Sequence, residues 1–98
     1  MSGTRAPSRC VRLRIVGRVQ GVGYRAWAVR QAIALGLRGW VRNRTDGSVE
    51  AVLIGEDASV VAMLAACRVG PPGANVSDIA TRDVEDDAGE GFIARPTA

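Results

Sequence analysis

Residues 10–25 read CVRLRIVGRVQGVGYR, and a change of pattern within them decides the fold. Val11, Leu13 and Ile15 alternate with Arg12 and Arg14, the period of two expected of a strand with one buried face. The alternation stops at Gly17, and Gly21 and Gly23 follow before Tyr24 and Arg25. Glycine gives up side-chain packing for backbone freedom, so a turn this rich in it lets backbone N–H groups converge. From Tyr24 onward the spacing is helical: Tyr24, Ala28, Ala32 and Leu35 share one stripe, and Gly36 stands where the helix should end. Strand, glycine loop and helix follow one another within 27 residues, from Cys10 to Gly36.

The same reading extends along the chain. LRGWVRN (37–43) and SVEAVLIG (48–55) are two strands, and Asp46-Gly47 between them is a hairpin signal. EDASVVAMLAACRV (56–69) reads as a second helix with an acidic first turn, the sign that the helix dipole favours. GPPGA (70–74) breaks the chain. Val76 to about Val84 reads as a strand of poor alternation, with Val76, Asp78 and Ala80 on one side and Ser77, Ile79 and Thr81 on the other. EDDAGEG (85–91) is an acidic loop and FIAR (92–95) a short closing strand. Residues 1–9 read as a disordered lead-in, and 10–98 as a single domain. The order βαββαβ plus a terminal strand predicts an α+β, ferredoxin-like split βαβ sandwich. Its two helices pack on one face of a mainly antiparallel sheet, and the other face is left open.

Composition narrows the chemistry. A 98-residue chain builds one core, and 47% apolar with 23% charged residues is an ordinary globular balance. No apolar run is long enough to span a bilayer, and the N-terminus has no signal-peptide apolar segment. A cytoplasmic monomer without membrane contact is expected. The net charge is +3, and all 13 basic residues are arginine. No histidine is present, which removes the commonest general base and the commonest metal ligand. Cys10 and Cys67 are too few for a disulfide scaffold or a zinc site. Cys67 shares a helical stripe with Val60 and Leu64 and reads as a buried small hydrophobe. Without histidine, neither thiol has the basic partner a catalytic cysteine needs. No metal or cofactor is expected.

A glycine loop that feeds a helix N-terminus can cradle an anion, because the first turn carries unpaired N–H donors and the positive end of the dipole. The spacing here is neither a Walker loop nor a dinucleotide fingerprint, and a plain turn with positive φ explains the glycines equally well. Arg25 tilts the balance: a cation in the first helical turn opposes the dipole unless an anion lies between them. Asn43, at a strand end before the hairpin, is either turn chemistry or a polar group aimed at the same anion. From the residues alone, the chain is a small α/β domain with an anion loop.

GRVQGVGYR (17–25), GWVRNRTDGSVEAVLIG (39–55) and GPPGANV (70–76), in that order and spacing, resemble the acylphosphatase family from about Cys10 to Arg95. That resemblance implies a ferredoxin-like enzyme that hydrolyses the carboxyl-phosphate bond of acyl phosphates without metal or cofactor. It places the catalytic arginine at Arg25 and the catalytic asparagine at Asn43. The substrate phosphate would lie on the loop Arg18, Val19, Gln20, Gly21, Val22, Gly23 and Tyr24, with Arg25 at its end, and Gly17 would precede it. Inorganic phosphate is implied as product and inhibitor. Tyr24 stands where the family usually has phenylalanine, so its hydroxyl must find a partner or reach solvent. Gly23 stands where many members carry a side chain, which points to a more flexible loop.

Two other readings compete. An acylphosphatase-like module of a larger carbamoyl-transferring maturation protein would keep the same loop but continue into zinc-binding cysteines, a pattern absent before Ala98. An RNA-binding ferredoxin-like domain would need aromatic residues along its central strands for base stacking. Only Tyr24, Trp27, Trp40 and Phe92 are aromatic, two of them on the first helix, so no nucleic-acid partner is expected.

Overall fold

The computed structural model describes residues 8–86 and 88–98. The elements run β1 (Ser8–Arg18), α1 (Tyr24–Ala34), β2 (Arg38–Asn43), β3 (Val49–Glu56), α2 (Asp57–Val69), β4 (Asn75–Asp83) and β5 (Phe92–Arg95). They form one five-stranded sheet in the order β4-β1-β3-β2-β5. Every neighbouring pair is antiparallel except β2 with β5, which run parallel. Each helix therefore connects two strands that flank a third, the split βαβ topology expected from the element order. The strand β1 starts at Ser8, so residues 8 and 9 belong to the sheet rather than to the expected lead-in; residues 1–7 lie outside the described residues.

The alternation of β1 survives intact. Val11, Leu13 and Ile15 are fully buried and stand opposite Leu53, Ala51 and Val49 of β3. Tyr24, Ala28 and Ala32 of α1 and Val60, Met63 and Cys67 of α2 cover this face, giving one main core. Burying an aliphatic side chain such as Leu13 contributes about 1.5–3 kcal/mol, so these strand positions supply much of the driving force.

The poor alternation of β4 has a structural cause. Its register against β1 slips between Val16 and Gly17: Asp78 faces Val16, whereas Val76 faces Gly17, and Ser77 is the extra residue. A bulge reverses the parity of the strand, so Ile79 is buried and Val76, three positions away, still packs on the same core. Gly17 serves this bulge. At its φ of 125°, a Cβ would lie 2.2 Å from the Asn75 carbonyl oxygen, so only glycine fits.

The opposite face of the sheet is not wholly open. Trp40, Val52 and Ile54 are buried there with Cys10 and Ala88 packed against them. Arg38 ties down the segment after β4, donating to the carbonyls of Ala88 and Gly89 and pairing with Asp86. The acidic loop thus covers one end of a face expected to be bare. The guanidinium groups of Arg42 and Arg95 lie 4.9 and 4.6 Å from the Trp40 ring centroid.

Candidate active site

The glycine loop joins β1 to α1, and its geometry follows from the residues that interrupt the strand. Gly21 and Gly23 have φ of 77° and 78°, left-handed values that a residue with a Cβ adopts only with strain. Gly23 is also the residue that precedes α1, so no side chain caps the first N–H groups of the helix. No acidic residue lies in that first turn either. The positive end of the α1 dipole therefore faces the loop without an internal counter-charge, the condition under which an anion is held.

Beside this loop lies a cleft of about 360 Å³, lined by Val19, Gln20, Gly21, Gly23, Tyr24, Arg25, Ala26, Asn43 and Ala94. Arg25 and Asn43, 18 positions apart in the chain, meet here. Arg25 is half-buried, and one of its Nη atoms reaches the Arg95 carbonyl at 3.4 Å, a long contact that leaves most of its N–H donors available. Among the described residues no carboxylate pairs with it. Asn43 is anchored through its backbone: it faces Val49 in the β2–β3 ladder, and its carbonyl accepts from the Ala98 N–H at 3.1 Å. Its side-chain amide has no partner among the described residues.

Gln20 connects the two halves. Its side-chain Nε2 donates to the carbonyls of Arg44 and Ser48, both at 2.8 Å. These carbonyls flank the hairpin turn directly after Asn43. The loop that would hold an anion is thus bolted to the strand end that carries the asparagine. Asp46 stiffens the same turn, accepting from the Ser48 N–H at 2.9 Å and from the Ser48 hydroxyl at 2.6 Å. Those bonds, with the Arg14 guanidinium, hold its carboxyl well below the usual carboxylate range.

Not every expected loop residue faces the cleft. Arg18 pairs with Asn75 at the end of β1 and is exposed, and Val22 packs against the main core; neither lines the cleft. Val19 is fully buried, so what it presents to an anion is backbone. Tyr24 sends its ring into the core, where its hydroxyl donates to the Cys67 carbonyl at 2.7 Å. Burial, followed by the neighbouring Cys67 side chain, pushes the Tyr24 hydroxyl pKa far up, so it stays protonated. Burial likewise pushes the Cys67 thiol up, to about 11, as an inert core residue requires. Ala26, Ala94 and the Arg95 carbonyl also belong to the site. No sequence signal pointed to them, because the β5 residues arrive only through parallel pairing with β2. Among the described residues no three cysteine or carboxylate side chains cluster as metal donors. Among the described residues no helix is long and apolar enough to cross a membrane.

Comparison with known proteins agrees with this geometry. A family model described as acylphosphatase matches residues 11–93. An acylphosphatase of Rhizorhabdus wittichii is 49% identical over 98 residues, covering 99% of each chain. One of Rhodospirillum rubrum is 53% identical over 85 residues, covering 87% of this chain and 93% of its own. A solved acylphosphatase from Coxiella burnetii superposes with a TM-score of 0.86 at 33% identity, over 90% of this chain and 93% of that one. A segment of full-length HypF, 13% of that protein, shares the fold with a TM-score of 0.88 at 24% identity. With a five-stranded ferredoxin-like sandwich, and with that family matched over residues 11–93, the chain belongs to the acylphosphatase family of hydrolases.

Proposed function

We propose that the chain hydrolyses the carboxyl-phosphate bond of small acyl phosphates, releasing a carboxylate and inorganic phosphate, with Arg25 and Asn43 as its catalytic side chains. The observation that carries this reading is the convergence of three things in one cleft: N–H groups at the start of α1 that no side chain caps, a guanidinium and a side-chain amide, the last two without a carboxylate or hydrogen-bond partner, respectively, among the described residues. Phosphoryl transfer asks mainly for positioning and for stabilisation of charge on the phosphoryl oxygens. The loop amides that line the cleft, within residues 19–24, and the Arg25 guanidinium hold those oxygens. The Asn43 side-chain oxygen accepts a hydrogen bond from water and aims it at phosphorus, in line with the departing carboxylate. The carboxylate leaves readily, and the water's proton passes to the phosphate itself, so no strong base is required. Inorganic phosphate, the product, occupies the same loop and inhibits.

High identity to relatives named acylphosphatase, each covered over nearly its full length, supports acyl phosphate hydrolysis over carbamoyl transfer. The test is turnover of a synthetic aryl acyl phosphate in ¹⁸O-labelled water with excess chelator. Label in the phosphate and none in the carboxylate is expected. Label in the carboxylate, or activity that returns only with a divalent ion, overturns the mechanism.

A further inference from the structure

The sheet face away from the helices holds a second concave site. Beyond the covered patch around Trp40, a cavity of about 280 Å³ is walled by Arg12, Arg14, Arg44 and Arg82, with the carboxylates of Asp46 and Glu50. Residues of β1, β3, β4 and the hairpin turn converge there, on the opposite side of the sheet from α1 and α2. The catalytic cleft shares none of these lining residues.

Glu50 organises the wall. It is only 3% exposed, and it pairs with three guanidinium groups: Arg12, Arg42 at 2.7 Å and Arg44 at 3.1 Å. One carboxylate neutralises one of these cations and leaves two in excess. It also holds all three in place, so their remaining N–H donors do not have to be ordered when a ligand arrives. Arg14 is matched by Asp46 at 2.9 Å, while Arg82 has no carboxylate partner among the described residues. Burial penalises the Glu50 charge, yet the arginines outweigh it and keep the carboxyl below its ordinary range. A buried carboxylate under three cations, beside a fourth and a fifth, is a preorganised positive surface rather than a set of isolated surface pairs.

We propose that this cavity binds a compact oligophosphate, a chain of two or more linked phosphoryl groups. Guanidinium forks match phosphoryl oxygens in bidentate fashion, and four of them around one hollow suit several adjacent anionic groups better than one. The volume points the same way, being several times the roughly 30 Å³ share of one water in the liquid. An extended nucleic acid fits less well. The one aromatic ring on this face, Trp40, is 7% exposed and already occupied by Arg42 and Arg95, so bases have nothing to stack on.

Calorimetric titration with sodium tripolyphosphate tests this independently of the proposed catalytic mechanism. At an ionic strength of roughly 0.1 M, where exposed charges still interact, the wild-type chain should bind and Arg25→Ala should bind equally well. The double variant R14Q/R82Q should lose about a hundredfold in affinity, a factor of roughly ten for each charge-assisted contact removed. That variant should still turn over an aryl acyl phosphate at the wild-type rate, showing that it is folded. ATP separates the sources of the ligand: equal affinity marks the inorganic chain, and tighter binding marks a nucleoside polyphosphate. No binding by the wild type overturns the proposal. So does binding that Arg25→Ala abolishes and R14Q/R82Q keeps, since the ligand would then sit in the catalytic cleft. Retention of a single-stranded RNA oligonucleotide without tripolyphosphate binding also overturns it, in favour of a nucleic-acid surface.

Discussion

Replacing Tyr24 with phenylalanine should destabilise this chain. The reason lies at the end of α2. A helical carbonyl normally accepts from the N–H four residues on, but the residue four beyond Cys67 is Pro71, which has none. Gly70, with φ 70° and ψ −176°, has already left helical geometry. The Cys67 carbonyl is therefore orphaned, in a residue that is 1% exposed, and the Tyr24 hydroxyl supplies its donor at 2.7 Å. Losing a neutral hydrogen bond costs about 1 kcal/mol, and leaving its buried acceptor unpaired raises the penalty toward 3 kcal/mol. The gain in apolar character of the ring offsets part of this, so a net loss of about 1.5 kcal/mol is expected. In a domain of this size that lowers Tm by roughly 6–12 °C. Melting curves and urea titrations of both proteins measure it, and aryl acyl phosphate kinetics run beside them should show unchanged kcat and KM. A phenylalanine variant as stable as the wild type would refute the orphaned carbonyl. A variant of normal stability but altered kcat would move the hydroxyl into the chemistry.

Arg25→Lys should rescue little of the activity lost in Arg25→Ala, because an ammonium cannot make the bidentate contact; wild-type kinetics in the lysine variant would show that charge alone matters. Asn43→Ala should lower kcat by roughly a hundred- to a thousandfold while leaving phosphate inhibition nearly intact. Asn43→Asp should weaken that inhibition as well, by placing a negative charge beside a bound dianion. Gln20→Ala should lower kcat roughly ten- to a hundredfold with a smaller change in KM, since it releases the loop from the hairpin that carries Asn43. A change confined to thermal stability would make Gln20 a merely structural residue. Stability should fall above pH 9, because the folded Cys67 thiol titrates at about 11 against an unfolded value of 9.0. Its contribution is complete below pH 9 and is lost as pH rises toward 11, at up to about 1.4 kcal/mol per pH unit. Urea titrations at pH 8 and pH 10.5 read the loss, and Cys67→Ala should remove most of it, the remainder coming from the Tyr24 hydroxyl, whose pKa burial also raises.

Much of the architecture was legible because its signals are local. Alternation at Val11, Leu13 and Ile15, the helical stripe through Tyr24, Ala28 and Ala32, and the Asp46-Gly47 turn are each complete within a short window. Each reports the burial of one segment against something, without needing to know what. Arg25 stood out for a similar reason, as a cation set against its own helix dipole. Asn43 did not: its residue type suits a turn as well as a catalytic role, and what favours the second is the family resemblance together with its place beside Arg25 in the cleft. The β4 strand was read with the wrong parity because a bulge is a property of a pair. Ser77 is extra only in relation to Val16 and Gly17, 60 positions or more earlier. The burial of Glu50 was equally invisible, since a carboxylate in an alternating strand reads as solvent-facing until three arginines from β1, β2 and the hairpin close over it. The hydroxyl of Tyr24 and the carbonyl of Cys67 are 43 positions apart, and the Ala94 wall of the cleft lies more than 50 beyond Asn43. Sequence by itself determined where strands and helices form and which face each buries, because a few neighbouring residues hold that information. Tertiary structure alone decided which strands become neighbours and which polar groups meet, because those outcomes sum many weak contacts between segments that carry no local mark of one another.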